Sequence, residues 1–478
     1  MTLADQIQGA RELRLHLLDD PYRPAYHFVV PEDFAKPADP NGAIWWNGRY
    51  HLGYIYQDNG VHYWGHVSSR DLLHWRHHKP WLVPTPDSPE LGIYSGNCII
   101  NKDGAATMFY HGYKVGNCIA TSTDPQLDVW TKLPTNPIVP VEAPDKWRES
   151  ASLPYASWDP CGWLDGDTYY AIFGGTRPAV FKAKTLDDWS YVGDLFANGV
   201  DGISLREDVS CPDFFRLGDK WVLMGISHEK GCRYYVGDWK DEQFHPEIHE
   251  RMSWVDNTFF APESMADPSG RRLMWAWIFD QWDKETEAAA GWSGVFSVPR
   301  ELWLRDDLRL GMRPIEELKS LRYNERSLQP RALPSGETVD LMSAPENVFD
   351  LEVIFEAGAT STFGLKVCCA DGDGGEETIV GYDRQTGELF VDTIRSSALG
   401  LGLHVREAGP LAVAPGEQLK LRVLVDRSVI EIFANDRQAI TRRFYPSADS
   451  LGIKAFSTGG DSQLAALHFW EMMPSNPY

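Results

Sequence analysis

Cysteine is scarce in this 478-residue sequence, and its spacing forms no metal-binding or redox motif. No two cysteines stand in a Cys-x-x-Cys arrangement. The seven cysteines are Cys98, Cys118, Cys161, Cys211, Cys232, Cys368 and Cys369. An odd and dilute set of this kind predicts neither a disulfide framework nor a structural zinc site. We also expect no disulfide between the adjacent Cys368 and Cys369, because neighbours on a strand point to opposite faces.

Long apolar runs are also lacking, since no stretch approaches the roughly 18–20 continuous apolar residues of a membrane helix. The first twenty residues are charged throughout and contain no apolar signal-peptide core. We therefore expect residues 1–22 to form a short helical segment, the protein to be cytoplasmic, and membranes not to be a partner.

Positive charge is in deficit, with 45 Lys and Arg against 68 Asp and Glu and a formal net charge of −23. Nucleic acids and anionic membranes attract cationic proteins, so neither is expected as a partner. Aromatic residues are abundant, and 19 of them are Trp. The flat indole face with its single donor suits sugars and β-sheet cores alike.

Helical periodicity is scarce after residue 20, and short apolar strands separated by Asn-Gly and Asp-Gly turns replace it. A unit of polar motif, turn and two aromatic strands recurs five times, at residues 38–57, 94–113, 158–175, 210–228 and 261–280. Five such units predict an all-β fold with a five-bladed β-propeller at about residues 23–313. A series of unrelated hairpins in a sandwich is the alternative.

The sequence changes in character after residue 313. Pro314–Arg322 has a helical pattern and is expected to lie in a linker at residues 314–335. Residues 336–478 are predicted to form a C-terminal β-sandwich, because apolar residues alternate strictly on both sides of the turn at Asp426–Ser428.

Three acidic motifs stand at strand starts in three different units, around Asp39, Asp159 and Glu207–Asp213. Taken singly, an aspartate before a turn usually stabilises that turn. In a propeller, however, first strands line a central channel, where these carboxylates would converge and push their pKa values apart. Glycoside cleavage needs such a pair, one carboxylate as nucleophile and one carboxylic acid as proton donor.

The motifs together resemble those of glycoside hydrolase family 32, the β-fructofuranosidases, over nearly the whole chain from about residue 25. The matching stretches are Asp39–Gly42, Tyr56-Gln57, Trp64–His66, Ser69–Trp75, Tyr94–Asn97, Asp159-Pro160, Cys211–Phe215, Trp292–Gly294, Pro299–Leu302 and Val425–Phe433. The resemblance implies a five-bladed propeller followed by a sandwich, and a retaining mechanism through a covalent fructosyl-enzyme intermediate.

The resemblance also implies roles for single residues. Asp39 would be the nucleophile, and Asp159 would hold sugar hydroxyls and stabilise the oxocarbenium charge. Asn41, Gln57, Trp64 and Ser95 would line the pocket around the terminal furanose. The other residues expected to bind substrate are Trp158, Asp208, Glu263 and Trp292. No cofactor and no metal is expected, since the histidines at 74, 77 and 78 have no carboxylate or cysteine at ligand spacing.

This sequence departs from the family pattern at three positions. Ala38 stands where Asn is usual, and Trp158 replaces an Arg, so that one indole donor stands in place of five guanidinium donors. Ser210 occupies the position of the acid/base Glu, and serine cannot protonate a leaving group at neutral pH. Glu207, three residues earlier, is the favoured proton donor, with Asp208 and Glu263 as alternatives. Glu263 could instead bind sugar hydroxyls.

The sequence therefore predicts a glycosidase that releases terminal β-D-fructofuranosyl residues from sucrose or fructo-oligosaccharides. The substitutions at Ala38 and Trp158 leave open a fructosyltransferase or a glycosidase for another furanoside. Ser210 leaves open a carbohydrate-binding protein without catalysis. We expect a small carbohydrate as the only partner of a monomer or homodimer.

Overall fold

The computed structural model describes residues 2–31, 35–146, 148–199, 207–255, 257–358, 360–370 and 375–476. Within these ranges the regular secondary structure is mostly β-strand, which confirms the predicted all-β class. The helices are α1 (Leu3–Asp19), α2 (Lys284–Ala290) and a 3₁₀ helix (Glu316–Leu321). No helix in the described part of the chain has the length and apolar character needed to cross a bilayer.

The helix α1 begins with a capping box. The Thr2 hydroxyl accepts from the Asp5 backbone N–H at 3.2 Å, and the Asp5 carboxylate accepts from the Thr2 backbone N–H at 2.7 Å. This satisfies two backbone donors that a helix start leaves unpaired. Leu17 is the one described buried residue of α1.

The chain divides into two compact units. Unit 1 contains Met1–Val29, Ile278–Val298 and Gly311–Tyr478, and unit 2 contains Val30–Trp277 and Pro299–Leu310. The first 29 residues thus belong to the same unit as the C-terminal sheets. The sequence-based boundaries at residues 23–313 and 336–478 stay a prediction.

Four antiparallel sheets of unit 2 are meanders in chain order, with β9 added beside β7. Their strands are β1 (Pro40–Trp46), β2 (Arg49–Asp58), β3 (Val61–Ser69), β4 (Trp75–His77), β5 (Ile93–Ile100), β6 (Ala106–Gly112), β7 (Gly116–Ser122), β8 (Thr131–Lys132), β9 (Val139–Pro140), β10 (Pro160–Asp165), β11 (Thr168–Phe173), β12 (Ala179–Ala183), β13 (Ser190–Asp194), β14 (Ser210–Leu217), β15 (Lys220–Ser227), β16 (Gly231–Lys240) and β17 (Gln243–Arg251).

A fifth sheet contains β18, β19 and β21 in that order. The strands of this stretch are β18 (Phe259–Ala266), β19 (Arg272–Ile278), β20 (Val295–Phe296), β21 (Arg300–Leu304) and β22 (Leu310–Pro314). The hairpin turn Asn47-Gly48 has φ values of 46° and 81°, the positive angles for which Asn-Gly is suited.

The first strands of the five sheets contact one another in cyclic order, β1 to β5 to β10 to β14 to β18 and back to β1. Side chains add a hydrogen bond between each neighbouring pair. These bonds are Asn41 to Gly96, Asn97 to Gly162, Cys161 to Phe214, Asp213 to Ser264, and Glu263 to Ala43. The ends of these five strands, which are far apart in sequence, are thereby held close together.

Unit 1 contains two antiparallel sheets. Their strand orders are β23-β35-β26-β31-β32-β33, with β24 beside β35, and β25-β34-β27-β28-β29-β30. The strands are β23 (Arg322–Leu328), β24 (Arg331–Leu333), β25 (Thr338–Ser343), β26 (Val348–Glu356), β27 (Thr362–Cys369), β28 (Thr378–Asp383), β29 (Glu388–Asp392), β30 (Arg406–Pro410), β31 (Leu419–Asp426), β32 (Val429–Ala434), β33 (Gln438–Arg443), β34 (Gly452–Thr458) and β35 (Ser462–Met472).

The two sheets of unit 1 share buried apolar contacts. Phe355 of β26 and Phe363 of β27 lie with ring centroids 5.6 Å apart. The hairpin β31–β32 turns between Asp426 and Val429, where the alternating pattern predicts it. The helical pattern at residues 314–322 forms a single 3₁₀ segment, which buries Leu318 and Leu321.

Candidate active site

Two aspartates stand immediately before first strands in unit 2, Asp39 before β1 and Asp159 before β10. Each is followed by Pro, which restricts the aspartate to extended backbone. Both carboxyl groups are buried, at 5 % and 1 % exposure. The structure brings these two predicted site residues together around one thiol, since the Cys211 Sγ lies 3.6 Å from an oxygen of each.

Bulges in the first strands direct further groups to this place. The pairing of β5 shifts between Tyr94 and Gly96, and the pairing of β14 shifts between Ser210 and Asp213. A bulge turns the extra residue out of the regular alternation. Ser95 consequently donates to Asp39 Oδ2 at 2.9 Å, and the Cys211 backbone N–H donates to Asp159 Oδ2 at 2.9 Å.

Position 96 has room only for glycine, for a steric reason. A Cβ at this position would lie 1.9 Å from the Phe109 carbonyl oxygen, which is shorter than any real contact. The absent side chain allows β5 to approach β6 beside Ser95. Asn41 fixes the same region, because its side chain donates to the Asp39 carbonyl at 2.8 Å and accepts from the Gly96 N–H at 2.9 Å.

The electrostatics of the two aspartates follow from burial. Burial raises the pKa of Asp39 to about 6, although hydrogen bonds from Ser95 and Cys211 oppose this. Burial raises the pKa of Asp159 to about 7, and the neighbouring charge of Asp39 adds to the effect. Carboxyl groups with such pKa values change their charge near neutral pH, as catalytic groups do.

One oxygen of each aspartate is left without a hydrogen-bond partner among the described residues. These atoms are Asp39 Oδ1 and Asp159 Oδ1, and both are buried. Buried polar atoms in folded proteins are nearly always hydrogen-bonded, so two adjacent unpaired acceptors indicate a place where a ligand supplies the missing partners.

The motif before β14 has a different arrangement from the two Asp-Pro motifs. The Trp158 Nε1 donates to Ser210 Oγ at 2.9 Å, and Ser210 Oγ donates to Asp208 Oδ1 at 3.0 Å. Asp208 Oδ2 accepts from His228 Nδ1 at 2.7 Å. The single N–H donor of the Trp158 ring is therefore engaged by protein, and Asp208 is paired with an imidazole.

Glu207, the favoured proton donor of the sequence analysis, is held by two cationic side chains. Its two carboxylate oxygens accept from Lys230 Nζ at 2.7 Å and from Arg233 Nη1 at 3.3 Å. No contact within the described ranges joins Glu207 to Asp39 or Asp159, so the structure does not group it with them. Its role as proton donor stays a prediction.

Glu263 is a buried strand residue of β18 whose Oε1 accepts from the Ala43 N–H at 2.9 Å. Burial and the nearby charge of Asp213 raise the pKa of Glu263 well above its usual range. The contact links β18 to β1, which gives this carboxyl group a structural role in the ring of first strands.

Three further predicted site residues make other contacts. Trp64 is fully buried and its Nε1 donates to the Tyr94 carbonyl at 3.0 Å, while the Gln57 amide donates to the Lys36 carbonyl. Trp292 belongs to unit 1, where its Nε1 donates to Asp20 at 2.6 Å. Their contact with substrate stays a prediction.

Sequence reasoning missed Cys211 and His228 as site residues. Cys211 has no predicted role in the site, yet its Sγ also lies 3.5 Å from Ser95 Oγ. Its place inside the Cys-Pro-Asp motif is a signal that could have identified it. His228 follows β15 outside every motif, and no local pattern points to it.

One group within the described ranges has metal-like spacing, namely His66, His78 and Asp128. The two imidazole rings are stacked, with centroids 4.1 Å apart and planes at 22°. A metal ion must lie near the plane of each ring at about 2.0–2.1 Å from its nitrogen. Nearly parallel rings do not point their lone pairs at one ion, and Asp128 Oδ1 instead lies 2.8 Å from His78 Nδ1 in a hydrogen bond.

Comparison with known proteins identifies the family of the chain. Residues 27–314 match the Glycosyl hydrolases family 32 N-terminal domain, and residues 317–471 match the Glycosyl hydrolases family 32 C terminal. The chain is 28 % identical over 499 residues to a sucrose-6-phosphate hydrolase of Zymomonas mobilis, covering 96 % of this chain and 94 % of the relative. It is 28 % identical over 490 residues to a raffinose invertase of Escherichia coli, covering 94 % of each chain.

Solved structures show the same fold. Fructan 1-exohydrolase IIa from Cichorium intybus superposes with a TM-score of 0.83 at 22 % identity, covering 95 % of this chain and 98 % of that one. A sucrose-6-phosphate hydrolase from Lactobacillus gasseri superposes with a TM-score of 0.78 at 20 % identity, covering 98 % of this chain and 97 % of that one.

Proposed function

The chain belongs to glycosyl hydrolase family 32, and on that basis we propose that it is a retaining glycosidase that releases terminal β-D-fructofuranosyl residues from sucrose or fructo-oligosaccharides. The relatives named sucrose-6-phosphate hydrolase and raffinose invertase support this substrate class. We also propose that the five sheets of unit 2 form a five-bladed propeller and that the two sheets of unit 1 form a sandwich. The cyclic contacts of the first strands support the propeller.

The observation that carries the proposed function is the pair of buried, unpartnered oxygens on Asp39 and Asp159. Asp39 Oδ1 attacks the anomeric carbon while Oδ2 is held by Ser95. Asp159 Oδ1 accepts from sugar hydroxyls and stabilises the positive charge that develops on the furanose. Water then cleaves the resulting ester and releases fructose.

The environment of Asp39 favours this role. A nucleophilic carboxylate must be ionised, yet it gains reactivity when it is poorly solvated. With a pKa of about 6, Asp39 is mostly ionised at neutral pH although it is almost completely buried. Ser95 and Asn41 hold the group and its backbone in place, and we propose that they also line the pocket.

Trp158 supports a second candidate function, in which the sugar or the acceptor differs. Its indole donor is bonded to Ser210, so this side chain has no N–H left for a sugar hydroxyl. A fructosyltransferase would lengthen oligosaccharides when given sucrose. A glycosidase for another furanoside would leave all fructosides intact, and a binding protein would bind sugar without turnover.

Asp39→Asn tests the proposed function. We expect fructose release from sucrose to fall by about 10³-fold or more, because the amide cannot form the ester. The matched control is Asp103→Asn, which removes the same charge at an exposed hairpin turn and should leave the rate unchanged. Product analysis by chromatography and by NMR of the first-formed anomer checks hydrolysis and retention.

The proposed function is wrong if the unmodified protein releases no fructose from sucrose, inulin or levan. The assignment of Asp39 is wrong if Asp39→Asn retains the activity of the control. Cytoplasmic location and a monomeric or homodimeric state stay predictions, and sedimentation of the intact chain checks the second.

A further inference from the structure

Cleavage of a sugar–sugar bond needs a proton donor for the leaving oxygen, and three carboxyl groups near the site serve other contacts. Glu207 binds Lys230 and Arg233 with both oxygens, and its side chain is only 3 % exposed. Glu263 accepts from the backbone of β1. Asp208 is bonded to Ser210 and His228. Of the side chains in contact with these three carboxyls, His228 has the imidazole, the group used most often for general acid and base catalysis.

His228 is held in a defined orientation by Asp208. Asp208 Oδ2 accepts from both the Nδ1 and the backbone N–H of His228, at 2.7 and 3.0 Å. The edge of the ring lies against Phe260, with centroids 5.8 Å apart and planes at 74°. With Nδ1 donating to the carboxylate, the second nitrogen, Nε2, is the one that exchanges protons with a ligand.

The His228 side chain is 36 % exposed, and the contacts of the described residues include none to Nε2. Asp208, in contrast, is mostly enclosed, with 11 % of its side chain exposed. The imidazole is therefore the more exposed member of the pair.

The Asp208–His228 pair lies close to the reacting carboxylates. Asp208 is bonded to Ser210, the residue before Cys211, whose N–H and Sγ contact Asp159. Burial raises the pKa of both Asp39 and Asp159, and the charge of His228 partly offsets this increase in both groups. One imidazole thus acts electrostatically on both aspartates.

We propose that His228, oriented by Asp208, is the proton donor and acceptor of the glycosidase reaction, an inference that rests on the proposed function. In the first step Asp39 Oδ1 forms a bond to the anomeric carbon, the bond from that carbon to the leaving oxygen breaks, and this oxygen takes its electron pair and the proton of His228 Nε2. In the second step water attacks the same carbon, Nε2 takes the water proton, and the ester electrons return to Asp39.

The assignment gives His228 a catalytic role and Asp208 a positioning role. The charged groups that contact the imidazole or interact with its charge are Asp208, from the segment before β14, and Asp39 and Asp159, which precede β1 and β10. The Asp208–His228 pair is bonded to Ser210, the residue at the position of the acid/base Glu in the family pattern.

The test compares two substrates that differ in their need for a proton. Sucrose has a sugar alkoxide as leaving group, whereas 4-nitrophenyl β-D-fructofuranoside releases a phenolate that departs unprotonated. His228→Asn keeps a donor for Asp208 and removes Nε2. We expect kcat/KM to fall by about 100-fold or more on sucrose and by less than about 5-fold on the aryl fructoside.

The second step provides an independent readout in the same variant. Without a base to deprotonate water, His228→Asn should give a burst of nitrophenolate followed by slow turnover. Sodium azide, which needs no deprotonation, should restore the steady-state rate and yield fructosyl azide. A merely structural role for His228 predicts neither the burst nor the rescue.

Glu207→Gln and Asp208→Asn complete the comparison, with thermal melting as the check that each variant is folded. In Asp208→Asn, kcat/KM on sucrose should fall at least about tenfold, and azide should not restore the glycosylation step. Glu207→Gln should change kcat/KM on both substrates equally.

The proposal is overturned if the substrate-selective loss and azide rescue appear in Glu207→Gln or Asp208→Asn but not in His228→Asn. It is also overturned if folded His228→Asn loses both substrates equally. Failure of the proposed function is distinct, because the unmodified protein then cleaves neither substrate.

Discussion

Asp39 remains ionised at neutral pH although it is buried, because the Ser95 hydroxyl and the Cys211 thiol oppose the cost of removing its charge from water. The nucleophile must be deprotonated to attack, and Asp159 must be ionised to stabilise the positive charge, so activity should decrease as pH falls from about 7 through about 6. Each hydrogen bond to the Asp39 carboxylate lowers its pKa and therefore extends activity to lower pH.

Ser95→Ala tests this dependence. Removing a hydrogen bond of about 1 kcal/mol from the ionised form raises the pKa of Asp39, so the acidic limb of kcat/KM on sucrose should move to higher pH by about 0.7 unit. The rate is measured from pH 4 to pH 8. Ser190→Ala, at an exposed strand position, is the control, and an unmoved limb in Ser95→Ala would contradict the explanation.

The sequence allowed Asp39 and Asp159 to be predicted as neighbours because each Asp-Pro motif stands at the start of a repeated unit. It did not allow His228 to be found, since its link to Asp208 spans 20 residues and depends on β14 and β15 pairing side by side. The ion pairs of Glu207 join the segment before β14 to Lys230 in the turn before β16 and to Arg233 in β16, and spacing within one motif carries no information about them.

Elements were predictable where local chemistry determines them. Asn47-Gly48 and the alternation around Asp426 specify hairpins by themselves. The bulges at Ser95 and Cys211 were not predictable, because a bulge depends on the register of two strands. Cys211 has φ of +46°, an unusual angle for a residue with a side chain, and nothing in its neighbours signals this.

Helix α1 has one described buried residue, Leu17. Two of its leucines should therefore differ strongly in how much they contribute to the free energy of unfolding. Leu17 is 6 % exposed within an apolar cluster of unit 1, whereas Leu15 is 57 % exposed. Leu17→Ala should lower the free energy of unfolding by about 2–4 kcal/mol through lost burial and a cavity. Leu15→Ala, with the same change in helix propensity, should stay within about 0.5 kcal/mol.

Urea denaturation of both variants measures this difference. Equal effects of the two substitutions would show that α1 does not contribute its buried leucine to the stability of unit 1.

At the scale of the whole molecule, unit 1 is assembled from three separate stretches of chain. Asp426 accepts from the backbone N–H groups of Ala25, Tyr26 and His27 at 2.6–2.8 Å. Arg443 and Asp280 form a buried ion pair at 2.6 Å, which connects the middle stretch. Truncating the chain before these partners would leave several buried charges and donors unpaired, which costs several kcal/mol.

His27 makes the stability of this assembly depend on pH. Burial alone would lower the pKa of His27, but hydrogen bonds with Asp426 and Glu431 raise it to about 9 from the ordinary 6.5. Its contribution is complete below pH 6.5 and is lost as pH rises through 9. The free energy of unfolding should therefore fall by about 3 kcal/mol between pH 6.5 and 9.5.

Urea denaturation across this range checks the prediction. His27→Gln should remove most of the fall, while His468→Gln, at an exposed pair with Glu325, should retain it. Asp39 and Asp159 have their pKa values at about 6 and 7, so they contribute little above pH 7.5. The same slope in His27→Gln and the unmodified protein would contradict the assignment.

The bond between Ala25 and Asp426 has a consequence for synthesis on the ribosome. Its two partners are 401 positions apart, and translation at about 5–20 residues per second separates their emergence by roughly 20–80 s. During that interval the strands of unit 2 have all been made, whereas the N-terminal stretch waits for its acceptor. The newly made chain thus carries an unfinished unit 1 for most of its synthesis, and this is the stage at which binding by chaperones would be most useful.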